Sequence, residues 1–194
     1  MKLALTALAA SAITTQAAVI FDTTPRDDQA GFAANSGQTW MTATLGSDNL
    51  LSTIRVDNRP SSATGTGIYL AVYENNAANG QTWTPGTLVG ISTNAQDMDV
   101  NGGFALWTFS NETLKDNQRY LFTFTSDSAG AVPVAVETGV RLNTGNSEQS
   151  AFNGGSLAFS GSHTMASQIT TVPEPSSAVL LGLGGLALIL RRRK

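Results

Sequence analysis

Arg119-Tyr-Leu-Phe-Thr-Phe-Thr125 decides the fold. Side chains alternate along an extended chain, so Tyr120, Phe122 and Phe124 share one face. The same reading extends outward in both directions. Phe104-Ala-Leu-Trp-Thr-Phe109 sets Phe104, Leu106 and Thr108 against Ala105, Trp107 and Phe109. Gly67-Ile-Tyr-Leu-Ala-Val-Tyr73 sets Ile68, Leu70 and Val72 against Tyr69, Ala71 and Tyr73. Ala18–Phe21, Thr39–Leu45, Leu51–Val56, Thr87–Ser92, Val132–Val136 and Ser156–Ser160 complete about nine strands. Between them stand turn formers: Asn79-Gly80, Pro85-Gly86, Gly102-Gly103 and Gly154-Gly155. Glycine supplies φ > 0 and proline presets φ. No stretch of the body has a helical period. The expected fold is all-β, a single antiparallel β-sandwich of jelly-roll type.

Composition bounds the function. Of 194 residues, 11 are Lys or Arg and 14 are Asp or Glu, for a net charge of −3. Five of the basic residues (Lys2, Arg191, Arg192, Arg193, Lys194) and one acid (Glu174) sit at the two ends. Residues 18–172 therefore keep six basic against thirteen acidic residues and stand near −7. An acidic body disfavours nucleic acid and anionic lipid as partners. There is no cysteine, which excludes a Cys nucleophile, Cys-based metal sites and disulfide staples. The domain holds together by packing alone.

The two ends read differently from the body. Met1-Lys2 is a short positive start, Leu3–Ile13 is apolar and small, and Thr15-Gln16-Ala17 offers small residues for a cut after Ala17, with a cut after Ala18 as the alternative. That is the pattern of a secretory signal peptide, residues 1–17. At the other end Pro173-Glu174-Pro175 is a stiff extended triplet. Ala178–Leu190 is an uncharged apolar run, and Arg191-Arg192-Arg193-Lys194 closes the chain. A helix over 176–190 is roughly 22 Å long at about 1.5 Å per residue, short of a hydrocarbon core about 30 Å thick. Snorkelling arginine stems recover part of the gap. Gly182, Gly184 and Gly185 offer a smooth face to a neighbouring helix. The order of the parts predicts a single transmembrane helix whose basic end stays in the cytoplasm.

This tail resembles the PEP-CTERM sorting signal, in which a Pro-Glu-Pro motif, a short hydrophobic helix and an arginine-rich end occur in that order. The resemblance covers 172–194. It implies export by a Gram-negative bacterium that makes exopolysaccharide, through the general secretion machinery. It implies transient anchoring in the inner membrane, then cutting near the motif by the membrane protease-transpeptidase exosortase. On it, Pro173, Glu174 and Pro175 are the recognition residues and Arg191, Arg192, Arg193 and Lys194 the stop-transfer charges. The sequence thus divides into a signal peptide (1–17), a sandwich (18–160), a Ser/Thr/Gly-rich flexible linker (161–171) and the sorting signal (172–194). The resemblance says nothing of what the body does.

Chemistry in the body is sparse. The one histidine, His163, falls beside the expected stalk, with no nucleophile-elbow pattern near it. Glu74, Glu112, Glu137 and Glu148 are scattered and show no glycosidase pair. Asp97-Met-Asp-Val-Asn-Gly-Gly103 matches the start of a calcium loop, with Asp97, Asp99 and Asn101 as candidate oxygen ligands. The twelfth position is Thr108 rather than Glu, and an acidic hairpin loop is the competing reading. No other cofactor is expected. Among the aromatics, Trp40 and Trp107 read as core. Trp83, in a loop beside Pro85, and Tyr69 and Tyr73, on one strand face, are the candidates to stack on sugar rings. The expected function is an exported surface or matrix protein with a structural, non-catalytic body. The alternative is a carbohydrate-binding module of an extracellular polysaccharide, and a glycan-active enzyme stands third.

Overall fold

The computed structural model describes residues 17–42, 49–58, 65–98, 102–130, 132–142, 148–158 and 163–173. Among these residues there are thirteen strands and no α-helix. They are β1 (Ala18–Asp22), β2 (Asp28–Phe32), β3 (Gly37–Met41), β4 (Asn49–Asn58), β5 (Tyr69–Asn75), β6 (Pro85–Ile91), β7 (Gly103–Leu114), β8 (Arg119–Thr125), β9 (Val136–Leu142), β10 (Ala151–Asn153), β11 (Ser156–Leu157), β12 (His163–Met165) and β13 (Ser167–Pro173).

They form two antiparallel sheets. The first runs β1-β13-β4-β9-β12, with β7 also paired to β4 and β2 to β9; the second runs β11-β10-β3-β8-β5-β6. Eight of the strands, β1-β13-β4-β7 over β3-β8-β5-β6, are connected in the jelly-roll order. The remaining strands are additions. β2, β9 and β12 extend the first sheet from the Asn58–Thr138 pairing, and the β10–β11 hairpin extends the second beyond β3. That hairpin turns on Gly154 and Gly155, both at positive φ (59° and 78°), the backbone a tight two-residue turn demands.

The core lies between the sheets. From the first come Leu51, Ile54, Val56, Trp107 and Ile169; from the second, Trp40, Leu70, Val72, Tyr120, Phe122 and Phe124. The Trp107 ring meets Phe124 edge-on at 5.9 Å, and its Nε1 donates to the Ile68 carbonyl at 2.8 Å. Trp40 stacks on Tyr120 at 5.5 Å. Both tryptophans are fully buried, in keeping with their reading as core residues. Such rings carry most of the burial in a sandwich without disulfides.

Two expectations are corrected. Of the expected linker 161–171, the described part is not a flexible stalk. From His163 onward it forms β12 and β13, and β13 lies between β1 and β4 with partners on both sides. Its inward positions Ser167, Ile169 and Thr171 are fully buried, while Gln168, Thr170 and Val172 alternate outward. β-branched Ile, Thr and Val fit this pleated surface, and buried hydroxyls are tolerated when hydrogen-bonded. The expected strand at Val132–Val136 also moves: Pro133 makes an isolated bridge to Thr125, and the regular ladder of β9 begins at Val136. Residues 1–16 of the expected signal peptide (1–17) and the expected span 176–190 lie outside the described residues. Among the described residues no helix is long and apolar enough to cross a membrane.

Candidate functional site

The sorting end is built by β1, β13 and β4. Ala18 stands opposite Thr171 in the ladder, and Pro173 opposite Asn49. The first residues after the expected signal cut and the last residues before Glu174 are thus neighbours. Side chains lock the other end of the same ladder. Thr23 Oγ1 donates to the Met165 carbonyl at 2.6 Å, and the Ser167 amide donates back to Thr23 Oγ1 at 3.1 Å. Gln168 Nε2 donates to Asp22 Oδ2 at 2.9 Å. Burial pushes the Asp22 carboxyl up, but hydrogen bonds from Thr24 and Gln168 and the charge of Arg55 outweigh it and hold the group below its ordinary value. Of the sorting triplet only the Pro173 backbone is described. Glu174, Pro175 and Arg191, Arg192, Arg193 and Lys194 lie outside the described residues. Ala17 and Ala18, the expected cleavage residues, are both exposed.

The aromatic candidates do not come together into one platform. Trp83 is in a loop, as expected, but half-buried, with its ring 5.1 Å from Phe152. It also roofs Gly37. A Cβ there would stand 1.7 Å from the Phe122 carbonyl oxygen and 3.1 Å from the Trp83 ring, so only glycine fits. Tyr69 and Tyr73 are half-buried on the outward side of β5. The Tyr73 hydroxyl donates to the Gly130 carbonyl at 3.3 Å. Burial, then the charge of Asp127, raises its pKa. The outer face of the second sheet is therefore roofed by the 76–84 loop at Trp83 and by the 126–130 turn at Tyr73.

Of the calcium candidates, Asp97 is exposed and its Oδ1 accepts the Gly67 amide at 2.8 Å. Asp99 and Asn101 lie outside the described residues. Among the described residues no three His, Cys, Asp or Glu side chains are grouped to hold a metal. His163 is half-buried at the head of β12, opposite Leu142, rather than on a stalk. A cleft of about 550 Å³ opens beside β2 and β9, lined by Phe32, Ala33, Val136, Glu137 and Asn153 among others. In its lining the Asn153 carboxamide oxygen accepts the Ala33 amide at 2.8 Å.

Sequence reasoning missed the outer face of the first sheet. The ladders place Asp22, Gln168, Arg55 and Leu106 in one outward row, and Val19, Thr170, Thr53 and Thr108 in the next. Phe104 is 55% exposed and Leu106 38%. The Arg55 guanidinium lies 4.3 Å over the Phe104 ring and pairs with Asp57 at 3.0 Å, a cation–π and ion-pair cluster. The alternation of 104–109 was legible, but both its faces are apolar. The ladder of β7 with β4 turns Trp107 in and leaves Phe104 on an outward face beside Arg55.

Compared with known proteins, residues 171–194 match the PEP-CTERM protein-sorting motif. The chain carries that sorting domain. The motif implies recognition by an exosortase, and an exported protein whose tail is membrane-anchored before processing. No curated protein matches the chain.

Proposed function

We propose that this chain is an exported structural protein: a non-catalytic jelly-roll body carried to the cell surface or extracellular matrix and released from its membrane tail by exosortase. The observation that carries the reading is the sorting motif at 171–194, joined to a body whose first strand begins at the expected signal-peptide cut. The general secretion machinery takes the chain across by residues 1–17, and the span 176–190 with Arg191, Arg192, Arg193 and Lys194 arrests it. Cell fractionation of the full chain and of a chain ending at Pro173 tests this. The full chain is expected to pass through the inner membrane to the surface or medium. The shortened chain is expected to be exported without a membrane-bound stage. Equal membrane association of the two would sink the reading.

A second reading, binding of a neutral extracellular polysaccharide, draws on the open face of the first sheet. An exposed ring beside rows of hydroxyl, amide and guanidinium groups matches what a sugar chain requires, apolar C–H faces and dense hydrogen bonding. Affinity electrophoresis in the producing cell's own polysaccharide separates the two readings. Retardation lost in Phe104→Ala favours binding; migration unchanged by the polysaccharide favours the structural role.

A further inference from the structure

The sorting signal and the fold share residues. The match begins at Thr171, while β13 runs on to Pro173. Thr171, Val172 and Pro173 thus belong to both, and no spacer separates the last strand from the triplet. β13 is not a loose end. It is paired to β4 along its whole length, from Ser167–Val56 to Pro173–Asn49, and to β1 from Gln168–Asp22 to Thr171–Ala18. Ile169 and Thr171 are fully buried, and Thr171 Oγ1 reaches Asn49 Oδ1 at 3.5 Å. An enzyme that grips an extended peptide uses its backbone edges and alternate side chains. Here, up to Thr171, both edges of the strand are taken and the inward side chains are in the core.

We propose that the folded sandwich restricts processing of its own sorting signal. While β13 is paired, the membrane enzyme has access only from the end of that strand onward, so the bond it cuts lies C-terminal to Pro173. Conversion quickens when the triplet is moved away from the sheet. This rests on the exosortase reading above. The step is acyl transfer. The C–N bond breaks, the carbonyl carbon passes to the enzyme's nucleophile and then to water or an acceptor amine, and the released amine leaves with the tail after taking up a proton. Upstream residues become available only when the end of β13 frays, a local opening that costs less than the global unfolding free energy. The consequence is an order of events: export, arrest, completion of the sheet by its last strand, then cutting.

The test follows the full chain in its producing cells by pulse-chase, with intact mass of the product. In one variant six Gly/Ser residues are inserted between Val172 and Pro173, which moves the triplet by up to about 20 Å and leaves residues 18–172 in place. Ile169→Ala, which loosens β13 without moving the triplet, is the second variant. The expected result is a native C-terminus at or beyond Pro173, conversion at least three-fold faster with the insertion, and an intermediate acceleration for Ile169→Ala. An unchanged or slower rate with the insertion overturns the proposal, as does a native C-terminus upstream of Pro173. If both chains lose the tail at equal rates, the restriction fails and sorting stands. If neither loses it, the sorting reading fails and takes the proposal with it.

Discussion

β1 and β13 lie side by side at the two ends of one body, yet they do opposite structural work. β1 is an edge strand of five residues, of which Phe21 alone is buried. β13 is an inner strand whose inward positions Ser167, Ile169 and Thr171 show no exposure. The difference teaches that the end nearer the sorting signal is the one the fold depends on. A chain that lost residues to an upstream cut would lose a central strand. A chain cut one or two residues late at the signal peptide would lose an exposed edge.

That contrast can be broken by mutation. Ile169→Ala is expected to cost about 2–5 kcal/mol, the range for emptying a fully packed core position, read from the urea midpoint of the exported protein. Phe21→Ala on β1 is expected to cost less, at most about 3 kcal/mol, because an edge position collapses more readily around the lost ring. Should Phe21→Ala prove the costlier, the ranking of the two strands is wrong. A smaller effect concerns the tie between them. The Asp22 pKa is depressed in the fold, so its contribution is fully present above the unfolded carboxylate value, about 3.9. It is lost as pH falls through the lower folded value. Asp22→Asn should flatten the stability profile in that acid window and leave its slope at neutral pH unchanged. Smallest of all, Val19→Ser on the outer side of β1, where the residue is 52% exposed, should stay within about 0.5 kcal/mol of the parent.

The same contrast shows what was legible in the sequence. β8 could be read residue for residue, because Tyr120, Phe122 and Phe124 announce both the period and the face turned to the core. β13 could not. Ser167-Gln-Ile-Thr-Thr-Val-Pro173 has the composition of a stalk, and its period is written in small hydroxyls rather than large apolar groups. Those hydroxyls are satisfied inside the fold, as Ser167 Oγ is by the Met165 carbonyl, which only the three-dimensional arrangement reveals. The jelly-roll order was likewise readable as a class, while the added strands β2, β10 and β12 are too short or too polar to stand out. For the candidate site, the sorting motif was readable because the signal is contiguous. Trp83, Tyr69 and Tyr73 were recognisable as aromatics outside the core, but the packing of Trp83 on Phe152 and of Tyr73 on the 126–130 turn was not. Phe104 and Arg55 lie far apart in the chain and meet only because β4 and β7 are neighbours.

The central claim is that this body is exported, anchored and then cut from its tail just beyond its last strand. Intact mass of the native protein recovered from the surface or medium tests it most directly. The account predicts a chain that starts at Ala18 or Val19, keeps the whole of β13 to Pro173 and lacks Arg191, Arg192, Arg193 and Lys194. A surface protein that still ends at Lys194, or one that ends before Pro173, would contradict it.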